Sequence, residues 1–236
     1  TLATKATTLV EKDYSKFDGT ISRWLRENVE LALLLAAFDP QYHTTLTKNI
    51  RSELDAVAKS KNGVKYKTDG GRLSGSAITT DGNTIINAFV SYCSLRKVLS
   101  KDDAWSSMGL YYGDDGVDLQ IQGVDYEHSA KMLGLKVKNQ IVHFGQPLGY
   151  LGRRYPNIWL STTSYTPLER ALSKLHLVNS SSLELTEAMA NKAMGYKVID
   201  AHTPILSWYC DRILYFYQAN QKTMTYQQLE DINNPW

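Results

Sequence analysis

Cysteine is nearly absent from this sequence: Cys93 and Cys210 are the two in 236 residues, and neither lies in a C-x-x-C pair. A disulfide framework and a cysteine-zinc cluster are excluded, and a reducing compartment is the default. Long apolar runs are missing too. The longest, Val29 to Phe38, is interrupted by Glu30 and falls far short of the ~20 residues that a membrane-spanning helix needs. No basic stretch leading into an apolar one marks a secretory leader, and the chain opens at Thr1 rather than Met, as a piece of something longer would. The five histidines show no H-E-x-x-H spacing. Charge of one sign is also lacking: 26 Lys plus Arg stand against 24 Asp plus Glu, net +2, so the totals do not announce a nucleic-acid-binding domain. A content of 43% hydrophobic and 11% aromatic residues excludes disorder. The length allows one large domain or one and a half.

No internal repeat or low-complexity tract divides the chain, so its organisation comes from changes of pattern. Thr7 to Asp13 predicts a strand. A helix is expected from Gly19-Thr20 to about Phe38, and a second, opened by Asp39-Pro40, to about Lys59. Asn62-Gly63 and Asp69-Gly70-Gly71 bracket a short hairpin-like element at Val64 to Thr68. After a Gly-rich loop, Gly71 to Gly75, a helix is expected from Thr79 to about Leu99. Met108 to Tyr112 and Val117 to Ile121 read as two strands around the tip Gly113-Asp114-Asp115-Gly116. A helix from Asp125 to Leu133 follows, stopped by Gly134, and then extended stretches at Leu135 to Lys138, Gln140 to Phe144 and Leu148 to Leu151. Beyond Asn157 helical periods return, with Pro167, Pro204 and the Ser-rich Asn179 to Ser182 as punctuation.

Three patterns carry chemistry, in order. Asp13-Tyr14-Ser15-Lys16-Phe17-Asp18 sets two aspartates at i and i+5 from a strand end. Ser74 to Asn83 reads S-G-x-x-x-T-x-x-x-N. Gly113-Asp114-Asp115 stands at a hairpin tip. Alone the first is worthless, and a Gly-Asp-Asp tripeptide arises by chance in roughly one such chain in twenty at average usage. Their joint, ordered occurrence is the signal. An Asp115-Gly116 turn would explain a hairpin but leaves Asp114 without a reason. Adjacent carboxylates repel unless solvated or neutralised by a cation, and their oxygens suit hard Mg²⁺. If the strand ending at Asp13 pairs beside the hairpin, Asp13 and Asp114 converge, as a two-metal nucleotidyl transfer requires. Thr79, Asn83 and Asn87, at i, i+4 and i+8, share one helix face, and that polar row needs partners or else merely caps the helix start. Gly75 between serines permits close backbone approach to a ligand.

With these motifs the sequence resembles the RNA-dependent RNA polymerases of positive-strand RNA viruses, most like the nodavirus replicase. The resemblance runs from Asp13 to about Arg154: Asp13 to Asp18 as palm motif A, Ser74 to Asn83 as motif B, Gly113 to Asp115 as motif C, Asp125 to Lys138 as motif D, and Tyr150-Leu151-Gly152-Arg153 as the motif E primer grip. It implies an α/β (α+β) right-hand palm, an antiparallel sheet with flanking helices over 1–156, then a helical thumb segment over 157–236, with the fingers largely missing. It implies RNA-directed RNA synthesis with two Mg²⁺ or Mn²⁺ ions. Asp13 and Asp114 become the principal metal ligands, with the Tyr14 carbonyl a further ligand and Asp115 a secondary acidic partner. Asp18 and Asn83, with Thr79 alongside, select ribose. Ser74 and Gly75 belong to the template and nucleotide loop. Lys136 or Lys138 is the general acid, and Arg153 and Arg154 hold a primer phosphate. The implied partners are template and product RNA, nucleoside triphosphates, the remainder of a replicase polypeptide and, through parts outside this soluble segment, other copies on a membrane. The implied location is host cytoplasm, at replication complexes on the mitochondrial outer membrane. Without fingers, the chain alone is expected not to polymerise RNA.

Two rivals remain. A DNA-synthesising, reverse-transcriptase-like palm would place a bulky gate near motif A, where this sequence has Asp18 with Asn83. An RNA-binding or assembly module with a vestigial palm would have no need of three unneutralised carboxylates. Elsewhere, Lys59, Lys61, Lys65 and Lys67 form either an RNA-backbone track or a solvated edge. Cys93 reads as a buried small hydrophobe. The aromatics Trp208, Tyr209, Tyr215, Phe216 and Tyr217 are expected to pack in a core or on a partner rather than stack bases.

Overall fold

A computed structural model describes residues 2–177 and 184–217. The chain divides into two compact units, residues 1–151 with 157–161, and residues 152–156 with 162–236.

In the first unit, β1 (Thr8–Tyr14) forms where expected. Lys16, in the left-handed region at φ 52°, turns the chain into a short helix, α1 (Phe17–Thr20). The long helix then begins at Arg23 rather than Gly19, because the Ser22 hydroxyl accepts from the Leu25 N–H (3.3 Å) and sets the start. It runs as α2 (Arg23–Leu25), a π-helical turn (Arg26–Glu30) and α3 (Leu31–Ala37). The Asp39 side chain accepts from the Gln41 N–H and Pro40 opens a 3₁₀ turn that leads into α4 (His43–Leu54). That helix stops at Leu54, not Lys59, since Val57–Lys59 forms β2 and pairs with β3 (Lys65–Lys67). The central helix α5 (Thr79–Leu95) is followed by α6 (Lys101–Ser106), which no periodicity announced and which Ser100 caps.

The β4 (Leu110–Tyr112) and β5 (Asp115–Leu119) hairpin is tighter than expected. Tyr112 pairs with Asp115, which leaves Gly113 and Asp114 alone in the turn. Gly113 lies at φ 62°, the first-position conformation that a II′ turn reserves for glycine. Asp125 caps α7 (Tyr126–Met132), and β6 (Val137–His143) is one strand where two stretches were expected. Asn139 does not break it, because it sits in register opposite Lys12. A short β7 (Leu148–Tyr150) follows. The sheet order is β4-β5-β1-β6, every neighbour antiparallel. Tyr14, Phe17, Leu25, Ile86, Val90, Ala130 and Leu135 form the core under it, so α5 and α7 back one face.

The second unit holds β8 (Arg153–Tyr155), α8 (Leu168–Leu175), α9 (Leu185–Asp200) and α10 (Leu206–Tyr217), the helical character expected beyond Asn157. The Asn179 to Ser182 break lies outside the described residues. Leu206, Cys210, Ile213 and Leu214 of α10 pack against Ala171, Leu175, Ala190 and Ala193. The aromatics of α10 do not supply this core: Trp208, Tyr209, Tyr215 and Phe216 are exposed, and Tyr217 packs at its edge. The i, i+4, i+7, i+8 stripe already belongs to the smaller residues, which lets the helices approach closely. Cys210 is buried as a small hydrophobe, whereas Cys93 is only half-buried.

Candidate active site

Antiparallel register brings the acidic motifs together. β1 pairs with β5 through Lys12 opposite Gly116, and with β6 through Asp13 opposite Lys138. One step further along the first ladder sets Asp13 level with Asp115, which itself pairs with Tyr112. Tyr112, Asp115, Asp13 and Lys138 therefore form a row across the end of the sheet, with Asp114 in the turn above it. Residues in such a row share a face. Asp13 and Asp114 are exposed, Asp115 half-buried, and neither the Asp13 nor the Asp114 carboxylate has a hydrogen-bond or ion-pair partner among the described residues. Two free carboxylates on adjacent backbone ends are a donor set that suits a hard divalent cation. Among the described residues no group of three or more His, Cys, Asp or Glu side chains converges as a ready-made metal cage.

The opposite face explains how the tip is held. Alternation turns Lys12 inward, where it is 2% exposed. Its ammonium donates to Asn87 Oδ1 (2.7 Å) and Ser91 Oγ (2.5 Å) and pairs with Asp118 (2.8 Å). The rings of Tyr14, Tyr111 and Tyr126 surround it, with Tyr111 nearest at 4.7 Å. Burial lowers the Lys12 pKa, against the raising effect of Asp118. Burial and the Asp118 charge raise all three phenols. Asn87, its oxygen committed to Lys12, directs Nδ2 to the carbonyls of Gly113 (3.2 Å), Asp114 (3.2 Å) and Asp115 (3.1 Å). The Gly113 N–H donates to Thr84 Oγ1 (2.7 Å). The Gly-Asp-Asp turn is thus fastened to α5 through its backbone, and the Asp114 carboxylate is left exposed.

The same helix face serves the second aspartate. Asn83 Nδ2 donates to Asp18 Oδ1 (2.7 Å), and Ser74 Oγ to Asp18 Oδ2 (2.5 Å). Thr79 Oγ1 is spent on the carbonyls of Leu73 (2.8 Å) and Ser76 (2.9 Å), so it ties the Gly75 loop to the helix start. Lys136 and Lys138 are both exposed, and the Ser15 N–H donates to the Lys136 carbonyl (2.9 Å). In the second unit, the donors of Arg153 are occupied: Nε by Ser164 Oγ (2.6 Å), and the two terminal nitrogens by Asp200 (3.0 and 3.2 Å), Thr166 and the Ser164 carbonyl. Those are the donors that a primer phosphate would have needed. Arg154 pairs backbone to backbone with Tyr165.

Residues 1–145 match the family model of viral RNA-dependent RNA polymerase. The chain belongs to that family. It is 38% identical over 98% of its length to the RNA-directed RNA polymerase of striped jack nervous necrosis virus, covering 24% of that polypeptide. To that of Pariacoto virus it is 36% identical over 87% of its length and 22% of the relative. To that of Flock house virus the figures are 30%, 91% and 22%. The chain thus spans about a quarter of the length of the curated relatives it matches. An RNA-dependent RNA polymerase of a human picorbirnavirus, in an insertion-loop deletion mutant, has the same fold, with a TM-score of 0.67 at 17% identity over 97% of this chain and 44% of that one. The α+β palm-like architecture expected from the motifs is the architecture of this family member.

Sequence reasoning missed the supports. The motifs assign no role to Lys12 or Asp118, although Lys12 falls on the inward phase of a strand. Ser91 continues the Thr79, Asn83, Asn87 row by one more i+4 step, and that signal was available. Arg72, Glu30 and Arg26, all buried, left no signal beyond their positions.

Proposed function

We propose that this chain carries the nucleotidyl-transfer centre of an RNA-directed RNA polymerase. The observation that carries the reading is the pair of unpartnered carboxylates, Asp13 and Asp114, set on neighbouring ends of one antiparallel sheet. In this reading the first unit is the palm and the second a thumb segment. Asp13, Asp114 and the Tyr14 carbonyl would hold two Mg²⁺ or Mn²⁺ ions, with Asp115 as the secondary acid. When bound, such ions supply Lewis-acid stabilisation of the attacking and leaving oxygens of an in-line displacement. The protein's own part is positional. Asn87 and Lys12 hold the tip, Asp18 accepts from a ribose 2′-OH beside the Asn83 amide, and Ser74 with Gly75 borders the nucleotide. Thr79 contributes indirectly, by holding that loop. Lys138 stands in the ladder opposite Asp13, which favours it over Lys136 as proton donor to the leaving group. Arg153 acts as a strut, and a phosphate-holding role for Arg154 rests on the motif E likeness alone.

Template and product RNA and nucleoside triphosphates are the partners this chemistry requires. Self-assembly and attachment at the mitochondrial outer membrane of the host cell rest on the nodavirus likeness and concern the whole polypeptide; none of the described helices is long and apolar enough to cross a membrane. The deciding experiment is Asp114→Asn in the complete polypeptide. RNA synthesis should fall by at least about 10³-fold while RNA binding persists. Comparable activity in mutant and wild type would remove the metal mechanism, and efficient incorporation of deoxynucleotides by the wild type would remove the RNA assignment.

A further inference from the structure

Behind the Asp18–Asn83 pair lies a buried charge network that none of the sequence motifs includes. Arg72 is 5% exposed and Glu30 is fully buried. The Arg72 guanidinium pairs with both Glu30 oxygens, Nη1 at 3.1 Å and Nη2 closer still. Its remaining side, Nε–H, donates to Asn83 Oδ1 at 3.0 Å. The Arg72 backbone N–H donates to the carbonyl of Asp18 itself (2.9 Å). A closed triangle results: Arg72 to the Asp18 backbone, Arg72 to Asn83, and Asn83 to the Asp18 carboxylate.

Donor and acceptor chemistry makes this triangle directional. An asparagine amide can flip, but guanidinium has donors only and an ionised carboxylate acceptors only. With Arg72 on one side and Asp18 on the other, only one orientation satisfies both. We infer that Arg72 is the positioning residue for sugar selection: it orients the Asn83 amide so that Asp18 is held with its carboxylate toward the nucleotide. This rests on the proposed ribose-reading role of Asp18 and Asn83. Room for the arginine is provided at one point on α5. A Cβ at Gly82 would stand 2.4 Å from Arg72 Nη2 and 2.7 Å from Glu30 Oε2, so any larger residue there must displace the ion pair from its present place against the helix, one residue before Asn83.

The test compares the ratio of kcat/KM for ribonucleotides to that for deoxynucleotides in the complete polypeptide. Arg72→Lys keeps the charge opposite Glu30 but removes the Nε–H. Gly82→Ala pushes on the guanidinium without altering Asp18 or Asn83, and alanine is the better helix former. Each should lower the ratio by about tenfold or more through the ribonucleotide side, with deoxynucleotide kcat/KM kept within about threefold. A merely structural role would depress both substrates together and leave the ratio in place. Asn83→Ala is the control for the underlying reading: if it leaves the ratio unchanged, ribose reading at this site fails. If Asn83→Ala collapses the ratio while folded Arg72→Lys or Gly82→Ala preserves it within about twofold, the positioning role of Arg72 is overturned. Thermal unfolding identifies a variant that has lost its fold; should Arg72→Lys do so, Gly82→Ala decides.

Discussion

Lys12 stands beside the exposed Asp13 in sequence and points the other way, into the protein. Its ammonium is compensated by Asp118 and by the hydroxyl and amide oxygens of Ser91 and Asn87. Asp118 in turn accepts from Ser91 (2.7 Å) and from the Tyr111 hydroxyl. A buried pair of this kind adds little net stability against an apolar substitute, but removal of one partner strands the other. Lys12→Met should therefore cost about 3–5 kcal/mol in urea unfolding, and adding Asp118→Leu should recover most of it. A single mutant within about 0.5 kcal/mol of wild type would show that Asp118 finds another cation or sheds its charge cheaply. The residues expected to react and the residues that hold them thus differ in kind. Asp13 and Asp114 are exposed carboxylates with no hydrogen-bond or ion-pair partner among the described residues, whereas Lys12 and Asp118 are buried and hydrogen-bonded inside the fold.

At the scale of elements, α5 does the most. One face of a single helix touches the Gly75 loop through Thr79, Asp18 through Asn83, the Gly-Asp-Asp turn through Thr84 and Asn87, and β1 through Asn87 and Ser91. That face was legible in the sequence as a polar row at i, i+4 and i+8, and its partners were not, because they come from segments far along the chain. The β2–β3 hairpin shows the converse. Its register sets Lys59 directly opposite Lys65, with Lys67 on the same face. Like charges opposed across a ladder destabilise it unless an anion lies between them. If RNA is that anion, Lys65→Ala with Lys67→Ala should weaken RNA binding and reduce the slope of log K against log salt by about 2. An unchanged slope in a filter-binding titration would return these lysines to a solvated edge.

At the scale of the whole molecule the chain is two compact units, each with its own apolar core and its own ion-paired buried carboxylate. The second unit is tied by Asp200, fully buried and bound by Arg153, Thr166 and Thr203. Burial alone would raise its pKa, but the hydrogen bonds from Arg153, from the Thr166 backbone and hydroxyl and from Thr203 outweigh it and hold it below the ordinary 3.8. A carboxylate depressed by folding contributes stability that is present above its unfolded pKa and lost as pH falls through the folded one. Thermal unfolding of the second unit should thus weaken below about pH 4. Arg153→Met should destabilise it by about 3 kcal/mol at pH 7 and flatten that acid dependence; an unaltered profile would mean that Arg153 is not what holds Asp200 ionised. The sequence alone determined the alternation of strands and helices, the family and the carboxylates on offer, since periodicity, caps and short motifs are local or ordered along the chain. Only the tertiary structure decided which residues meet. Strand register, a property of pairs of segments, brought Asp13 level with Asp115 and turned Lys12 inward. Burial, a property of the assembled core, enclosed Arg72 and Asp118 with their partners where composition alone would have left them on the surface.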